Sequence, residues 1–262
     1  MIIELFGPPG VGKTTLAHML TSRLQQSGHL VDLMLSYRPA EQRSSPSWIT
    51  AVPRRLSRPL LELLAIASHP FAMSHDIGYS AALLKTLPPG NMATAMRFSQ
   101  YILRLTHRWC RASAAGHIVV FDQGFVQLIC SLALLCRSAD ESLVARALNT
   151  SPRSDLTIRL DAPPHILAAR LRDRGRQQGA IERLLELSLG TNLNSIIVID
   201  VLERLLLDRG QPVIRAISAD QRSLSESVDA MEKVIMTRLG AVRGVAARPR
   251  SNTINPIGEI AT

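Results

Sequence analysis

An α/β fold, a parallel sheet with helices on both faces, is predicted by three observations. The chain opens with an apolar run, Ile2–Phe6, that passes through Gly7-Pro8-Pro9-Gly10-Val11-Gly12-Lys13-Thr14 into a helical pattern. Further short apolar runs then alternate with helix-length stretches along the rest of the sequence. One of them, Ile118–Phe121, is unbroken and ends at a carboxylate, Asp122, as a strand covered on both faces does at the ligand edge of such a sheet.

The elements follow in order. Ile2–Phe6 is the first strand, and Lys13–Gln26 the first helix, closed by Gly28 at C′. A second strand is expected over residues 30–35. Residues 41–90, rich in Ser, Pro and Arg, read as an inserted cover region with a short apolar helical piece near 59–67. A long helix is predicted over 92–115, capped by Asn91 and ended by Gly116. Two helices come after Ile118–Phe121, the second opened by a capping box, Ser138-Ala139-Asp140-Glu141. A fourth strand over 156–160 leads through Asp161-Ala162-Pro163-Pro164 into a helix to about residue 174. The Gly-bracketed residues 175–192 suit a lid, which with the end of that helix spans about 170–192. An apolar helix over 194–209, a fifth strand at Val213–Ile217 and a final helix over 223–239 complete one domain of residues 1–240. Residues 241–262 dissolve into Arg, Pro, Gly, Asn and Thr and are expected to form a disordered tail.

Composition narrows the function classes. With 46% hydrophobic and 19% charged residues, the chain can bury a large core. Cys110, Cys130 and Cys136 form no CxxC pair, which points to a reducing, cytoplasmic setting. No basic segment precedes the first strand, so no leader is expected, and the longest apolar stretch, 128–136, is far short of a membrane span. The net charge of +9 has no aromatic interleaving behind it, so nucleic-acid binding lacks a motif. His69, His75 and Asp76 read as polar loop residues rather than a metal cluster.

The glycine-rich segment satisfies the phosphate-binding pattern GxxxxGK[ST] in its strand–loop–helix context. Gly7, Gly10 and Gly12 let the backbone, with Val11 and Thr15 completing the lining, turn its N–H groups toward a polyphosphate. Lys13 supplies positive charge for the β- and γ-phosphates, and the Thr14 hydroxyl can ligate Mg²⁺. The start of the helix adds the positive end of its dipole. Asp122, at the carboxyl end of its strand, faces the same loop and can hold Mg²⁺. Arg170, Arg172, Arg174 and Arg176 alternate, so Arg170 and Arg174 share one helix face and Arg172 and Arg176 another, and one pair can reach the phosphates while the other is solvated.

These segments resemble the thymidylate kinase-type P-loop kinases over most of residues 1–217. "FGPPGVGKTTLAHMLTSRLQQSGHLVDLMLSYRP" is similar to that family's phosphate loop, first helix and second strand. "GHIVVFDQG" resembles its strand ending in an Asp-Arg-aromatic motif, and "SDLTIRLDAPPHILAARLRDRG" its fourth strand, LD-x-x-P turn and lid arginines. The resemblance implies a three-layer sandwich with strand order 2-3-1-4-5 and a helical lid, and transfer of the ATP γ-phosphate to a small acceptor. It assigns Lys13 to the β/γ phosphates, Thr14 and Asp122 to Mg²⁺, and Arg170 and Arg174 to the lid. The departures lie elsewhere: Pro9 stands where the family has an acid, Gln123 replaces its arginine, and Arg38 stands where its acid would be. The donor positions are kept and the thymidylate positions have changed, which implies a kinase with another acceptor.

Candidates for that acceptor are Tyr37, Arg38 and Glu41 past the second strand, with Glu41 able to orient an acceptor hydroxyl. Gln123 and, on the long helix, Arg97 and Tyr101 (spaced with Phe98 and Arg104) offer a stacking and anion-binding face that competes with a core stripe of Phe98, Ile102 and Leu105. The leading reading is an ATP- and Mg²⁺-dependent phosphotransferase acting on a nucleotide or nucleoside. The alternatives are a kinase of a sugar or other non-nucleotide small molecule, and a partner-coupled regulatory ATPase. The apolar, basic-flanked segment 54–73 bears on the last of these as a docking helix or a membrane-surface element, against the plainer reading of a helix covering the active site or a homodimer interface.

Overall fold

The sheet forms where the apolar runs are least interrupted. A computed structural model describes residues 1–36, 70–136, 140–177 and 189–246. Its strands are β1 (Ile2–Phe6), β2 (Val31–Met34), β3 (Ile118–Phe121), β4 (Leu156–Asp161) and β5 (Val213–Ile217). All pair in parallel in the order β2-β3-β1-β4-β5, as expected. β1 and β3 are buried at every position and β4 at all but its last, whereas the edge strands β2 and β5 are only partly covered. Burial on both faces is what an unbroken apolar run in a parallel sheet encodes.

Strand alternation divides the core into two. Ile3 and Leu5 of β1, Val120 of β3, and Ile158 of β4 pack with Leu16 and Leu20 of α1 (Lys13–Gln26) and Val228 of α8 (Gln221–Ala246). Ile2, Phe6, Val119 and Phe121 face the other way. They pack against α2 (Pro70–Thr86), α3 (Met92–Ala114), α4 (Phe125–Leu135), α5 (Glu141–Thr150) and α7 (Leu189–Asp208). Trp109 lies 5.1 Å from both Phe121 and Phe125, and Tyr79 meets Phe125 edge-on at 5.5 Å, so aromatic contacts fix α2 and α3 to the end of β3. Arg159 of β4, buried, bonds Asp161, Asp200 and Glu203, and Arg215 of β5 shares Glu203, which ties the β4–β5 edge to α7.

Several boundaries differ from the sequence reading. α2 occupies part of the region read as irregular cover, because Tyr79, Leu83 and Leu87 recur at helical spacing and reach the core. His75 and Asp76 therefore lie on a helix, not in a loop. The second helix after β3 is capped by Asp140, whose carboxylate accepts the Leu143 N–H at 2.8 Å, in place of the expected box from Ser138; residues 137–139 lie outside the described residues. β2 is a residue shorter at each end than 30–35. α6 (Pro164–Gln177) runs past residue 174, and α7 starts five residues before 194. α8 reaches Ala246, so the first residues of the expected tail are helical. The helical piece at 59–67, the core of the expected lid at 178–188 and residues 247–262 lie outside the described residues. Other signals hold as read. Gly28 closes α1 with φ +84, its N–H on Gln25 O and the His29 N–H on Leu24 O, and Asn91 caps α3 through the Thr94 N–H at 2.8 Å. No helix among the described residues is long and apolar enough to cross a membrane.

Candidate functional site

β1 delivers the chain into the glycine-rich loop at Gly7, and the closeness of β4 dictates the residue there. A Cβ at Gly7, where φ is +151, would lie 2.2 Å from the Leu160 carbonyl oxygen, which is backbone and cannot move aside. Gly7→Ala is therefore expected to destabilise the protein by about 1–3 kcal/mol, the usual range for overpacking. Urea unfolding of the variant at wild-type stability would show that the loop can shift away from β4. The Gly7 N–H is held by Gln127 Oε1 of α4 at 3.0 Å in a buried bond. The loop ends at Gly12, whose φ of +100 sets the N-cap of α1.

Lys13 is buried at the mouth of this loop. Its Nζ donates to the carbonyls of Gly7 at 2.8 Å and Pro8 at 3.0 Å, so the ammonium lies along the inner rim. Thr14, one residue on, turns its hydroxyl to Asp122 Oδ2 at 3.0 Å. Asp122 is fully buried just past β3. It also accepts the Ser36 N–H on Oδ1 at 2.7 Å and the Ser36 hydroxyl on Oδ2 at 3.2 Å. It does not cap the following helix, whose N-cap is Gly124. Two hydroxyls and a carboxylate thus converge from the ends of the loop, β2 and β3. This is an all-oxygen set that fits Mg²⁺ sharing its remaining positions with water and phosphate oxygens. No group of three or more His, Cys, Asp or Glu suited to a metal occurs among the described residues.

α6 closes the outer side of the loop. Arg170 donates to the Val11 carbonyl at 3.1 Å and to Ser218 Oγ, just past β5, at 3.0 Å. The buried Ser218 in turn lies 3.4 Å from where a Gly12 Cβ would sit. Arg170 therefore braces the loop from outside. Arg172 is exposed and bonds the Ala168 carbonyl of its own helix, as the solvated member of the alternation should. Arg174 lies in α6, and its side chain is outside the described residues. Val11 is buried and Thr15 exposed.

A small cleft opens beside Asp122, lined by Ser36, Tyr101, Arg104, Arg108, Phe121 and Gln123 among others. Arg108 is held by the Leu35 carbonyl at 2.8 Å, and the Arg104 guanidinium lies 5.7 Å from the centre of the Tyr101 ring. Burial, and then the negative charge of Asp122, hold the Tyr101 phenol well above its ordinary value, so it stays neutral and can donate a hydrogen bond. Of the acceptor candidates, Tyr101 and Gln123 line this cleft. Arg97 does not; it is exposed a turn further along α3. Tyr37, Arg38 and Glu41 lie outside the described residues. Ser36, Gln127 and Ser218 were not anticipated. Gln127 alone carried a sequence signal, as the single amide in the apolar helix "FVQLICSLALL".

The fold is a three-layer α/β sandwich with helices on both faces of the sheet. No family model and no curated protein matches the chain. Among solved structures, the thymidylate kinase from Ehrlichia chaffeensis aligns with 90% of this chain and 98% of its own, at 13% sequence identity and a TM-score of 0.45. The fold assignment rests on the strand order and register of the sheet.

Proposed function

We propose that this protein is a P-loop phosphotransferase that moves the γ-phosphate of ATP to a small acceptor, with a nucleotide or nucleoside the first acceptor class to try. The convergence of Lys13, Thr14, Ser36 and Asp122 at the carboxyl edge of the sheet carries the reading. The polyphosphate would lie along the loop N–H groups at the start of α1, with the Lys13 ammonium turned from the loop carbonyls to its β- and γ-oxygens. Thr14 and Asp122 would hold Mg²⁺, which neutralises charge on those oxygens. Arg170 keeps the loop closed from outside. Arg174 is proposed as the second lid arginine, from its place one turn on. The acceptor would enter the cleft at Tyr101 of α3 and at Gln123, the residue after Asp122. There an acceptor oxygen forms its bond to the γ-phosphorus as the bond to the β-bridging oxygen breaks and ADP leaves.

The test is transfer of labelled γ-phosphate from ATP·Mg²⁺ to pooled nucleoside monophosphates, nucleosides, and sugars with other hydroxylated metabolites. Label on a compound in one pool establishes the kinase and its acceptor class. Label released only as free phosphate supports a partner-coupled ATPase instead. In the same assay Asp122→Asn is expected to raise the Mg²⁺ concentration for half-maximal turnover roughly tenfold or more, as loss of a carboxylate around a metal commonly does. A Mg²⁺ titration superimposable on wild type would remove Asp122 from the metal site.

A further inference from the structure

One carboxylate of the buried interior is used by none of the steps above. Glu4 sits in the middle of β1, and alternation turns it, with Ile2 and Phe6, toward α4. It is fully buried. Its Oε2 accepts the Val126 N–H, in the first turn of α4, at 3.1 Å. Its Oε1 accepts the Ser154 hydroxyl at 3.0 Å. α4 has no cap of its own: the N-cap Gly124 has no side chain to offer, and no acidic residue lies in the first turn. Glu4 supplies that cap from a neighbouring strand, its carboxyl oxygen accepting an N–H of the first helical turn.

The fit is tight on both sides. A Cβ on Gly124 would lie 2.2 Å from Glu4 Oε2 and 2.9 Å from its Cβ, so this turn has room for the carboxylate only because residue 124 is glycine. Behind Glu4, Ser154 Oγ lies 2.9 Å from Thr157 Oγ1, and Gln211 Nε2 donates to both at 2.8 Å. The carboxylate is thus braced from the opposite edge of the sheet. What it fixes matters, because the turn it caps begins two residues after Asp122, and the same helical turn carries Gln127, which holds the Gly7 N–H.

We propose that Glu4 is a positioning residue that, by capping α4 from β1, sets Asp122 and the phosphate loop in register with each other. The proposal rests on the nucleotide-binding reading of the loop, and its effect is read in binding as well as in turnover. The experiment measures the affinity of a fluorescent ATP analogue, with Mg²⁺ and with excess EDTA, for wild type, Glu4→Ala, Glu4→Gln and Lys13→Ala, beside circular dichroism melts. Glu4→Ala is expected to lose roughly fivefold of the affinity that Mg²⁺ adds, the equilibrium factor of one lost helix cap. Glu4→Gln, whose amide oxygen can still accept from Val126, is expected to recover most of it. An unchanged Mg²⁺-linked affinity in Glu4→Ala, or no recovery in Glu4→Gln, overturns the proposal. If Glu4→Ala does not fold, Gly124→Ala carries the same expectation, since its methyl displaces the carboxylate; wild-type Mg²⁺ linkage in that variant is equally fatal. Equal binding by wild type and Lys13→Ala would instead remove the nucleotide site, and this proposal with it.

Discussion

Replacing Lys13 with alanine is expected to lower ATP turnover on the order of a hundredfold or more while leaving a cooperatively folded protein. The rate effect follows from where the ammonium is held. Its Nζ is buried against two neutral carbonyls of the loop, those of Gly7 and Pro8. Phosphate oxygens carry full charge and outcompete such carbonyls for the same donor. In transit the transferring phosphoryl group spreads charge over its equatorial oxygens, and loss of one preorganised donor at such a site commonly costs about 10²–10³ in rate. The fold should survive because Lys13 belongs to neither core cluster. Its removal leaves two loop carbonyls without that donor, a cost of about 1–3 kcal/mol against a typical domain stability of about 5–15 kcal/mol. Steady-state turnover beside a thermal melt tests both halves. Wild-type turnover in a folded variant would end the catalytic assignment of the loop.

The convergence of the glycine-rich loop with Asp122 was legible in the sequence because each signal is local. Gly7, Lys13 and Thr14 are contiguous, and Asp122 ends a strand whose unbroken apolar character marks it as central. Tyr101 and Arg104 were readable as one helix face, but the same spacing added Arg97, which α3 carries a turn beyond the cleft. Periodicity shows which residues share a face, not how far along the helix the site extends. Ser36 and Ser218 gave no signal at all, since each is a serine just past an edge strand and gains meaning only when Asp122 or Arg170 arrives from a distant segment. α2 was missed because Gly78 and a serine-rich approach hide a helix whose stability comes from Tyr79, Leu83 and Leu87 against the core. Glu4 was hidden for the opposite reason. A carboxylate inside an apolar strand is absorbed into the strand, and its partners Val126 and Ser154, with Gln211 bonded to Ser154 behind them, are spread over the whole chain.

Replacing Glu4 with glutamine is expected to change the pH dependence of stability. Burial pushes the Glu4 carboxyl from 4.5 up to about 7, against the lowering influence of the Val126 N–H, the Ser154 hydroxyl and the Arg209 charge. The titratable groups that sense it are Arg209, just past α7, Tyr79 on α2 and Tyr101 on α3. Both phenols are raised, first by burial and in part by the Glu4 charge, and so remain neutral throughout the window. A folded-state value above the unfolded one means that the native protein holds the proton more tightly. The Glu4 contribution is therefore fully present below about pH 4.5 and is lost as pH rises through 7, by about 3 kcal/mol in all. Glu4→Gln cannot ionise, so the difference in unfolding free energy between variant and wild type should grow from pH 4.5 to 7.5 in favour of the variant and then level off. Denaturant unfolding of both proteins across that range measures the difference directly, and other groups cancel from it. Parallel curves would mean that water or a shift of α4 solvates the carboxylate. An isosteric amide is therefore the more stable choice at neutral pH, whereas a small apolar side chain would leave the buried Val126 N–H and Ser154 hydroxyl without their acceptor.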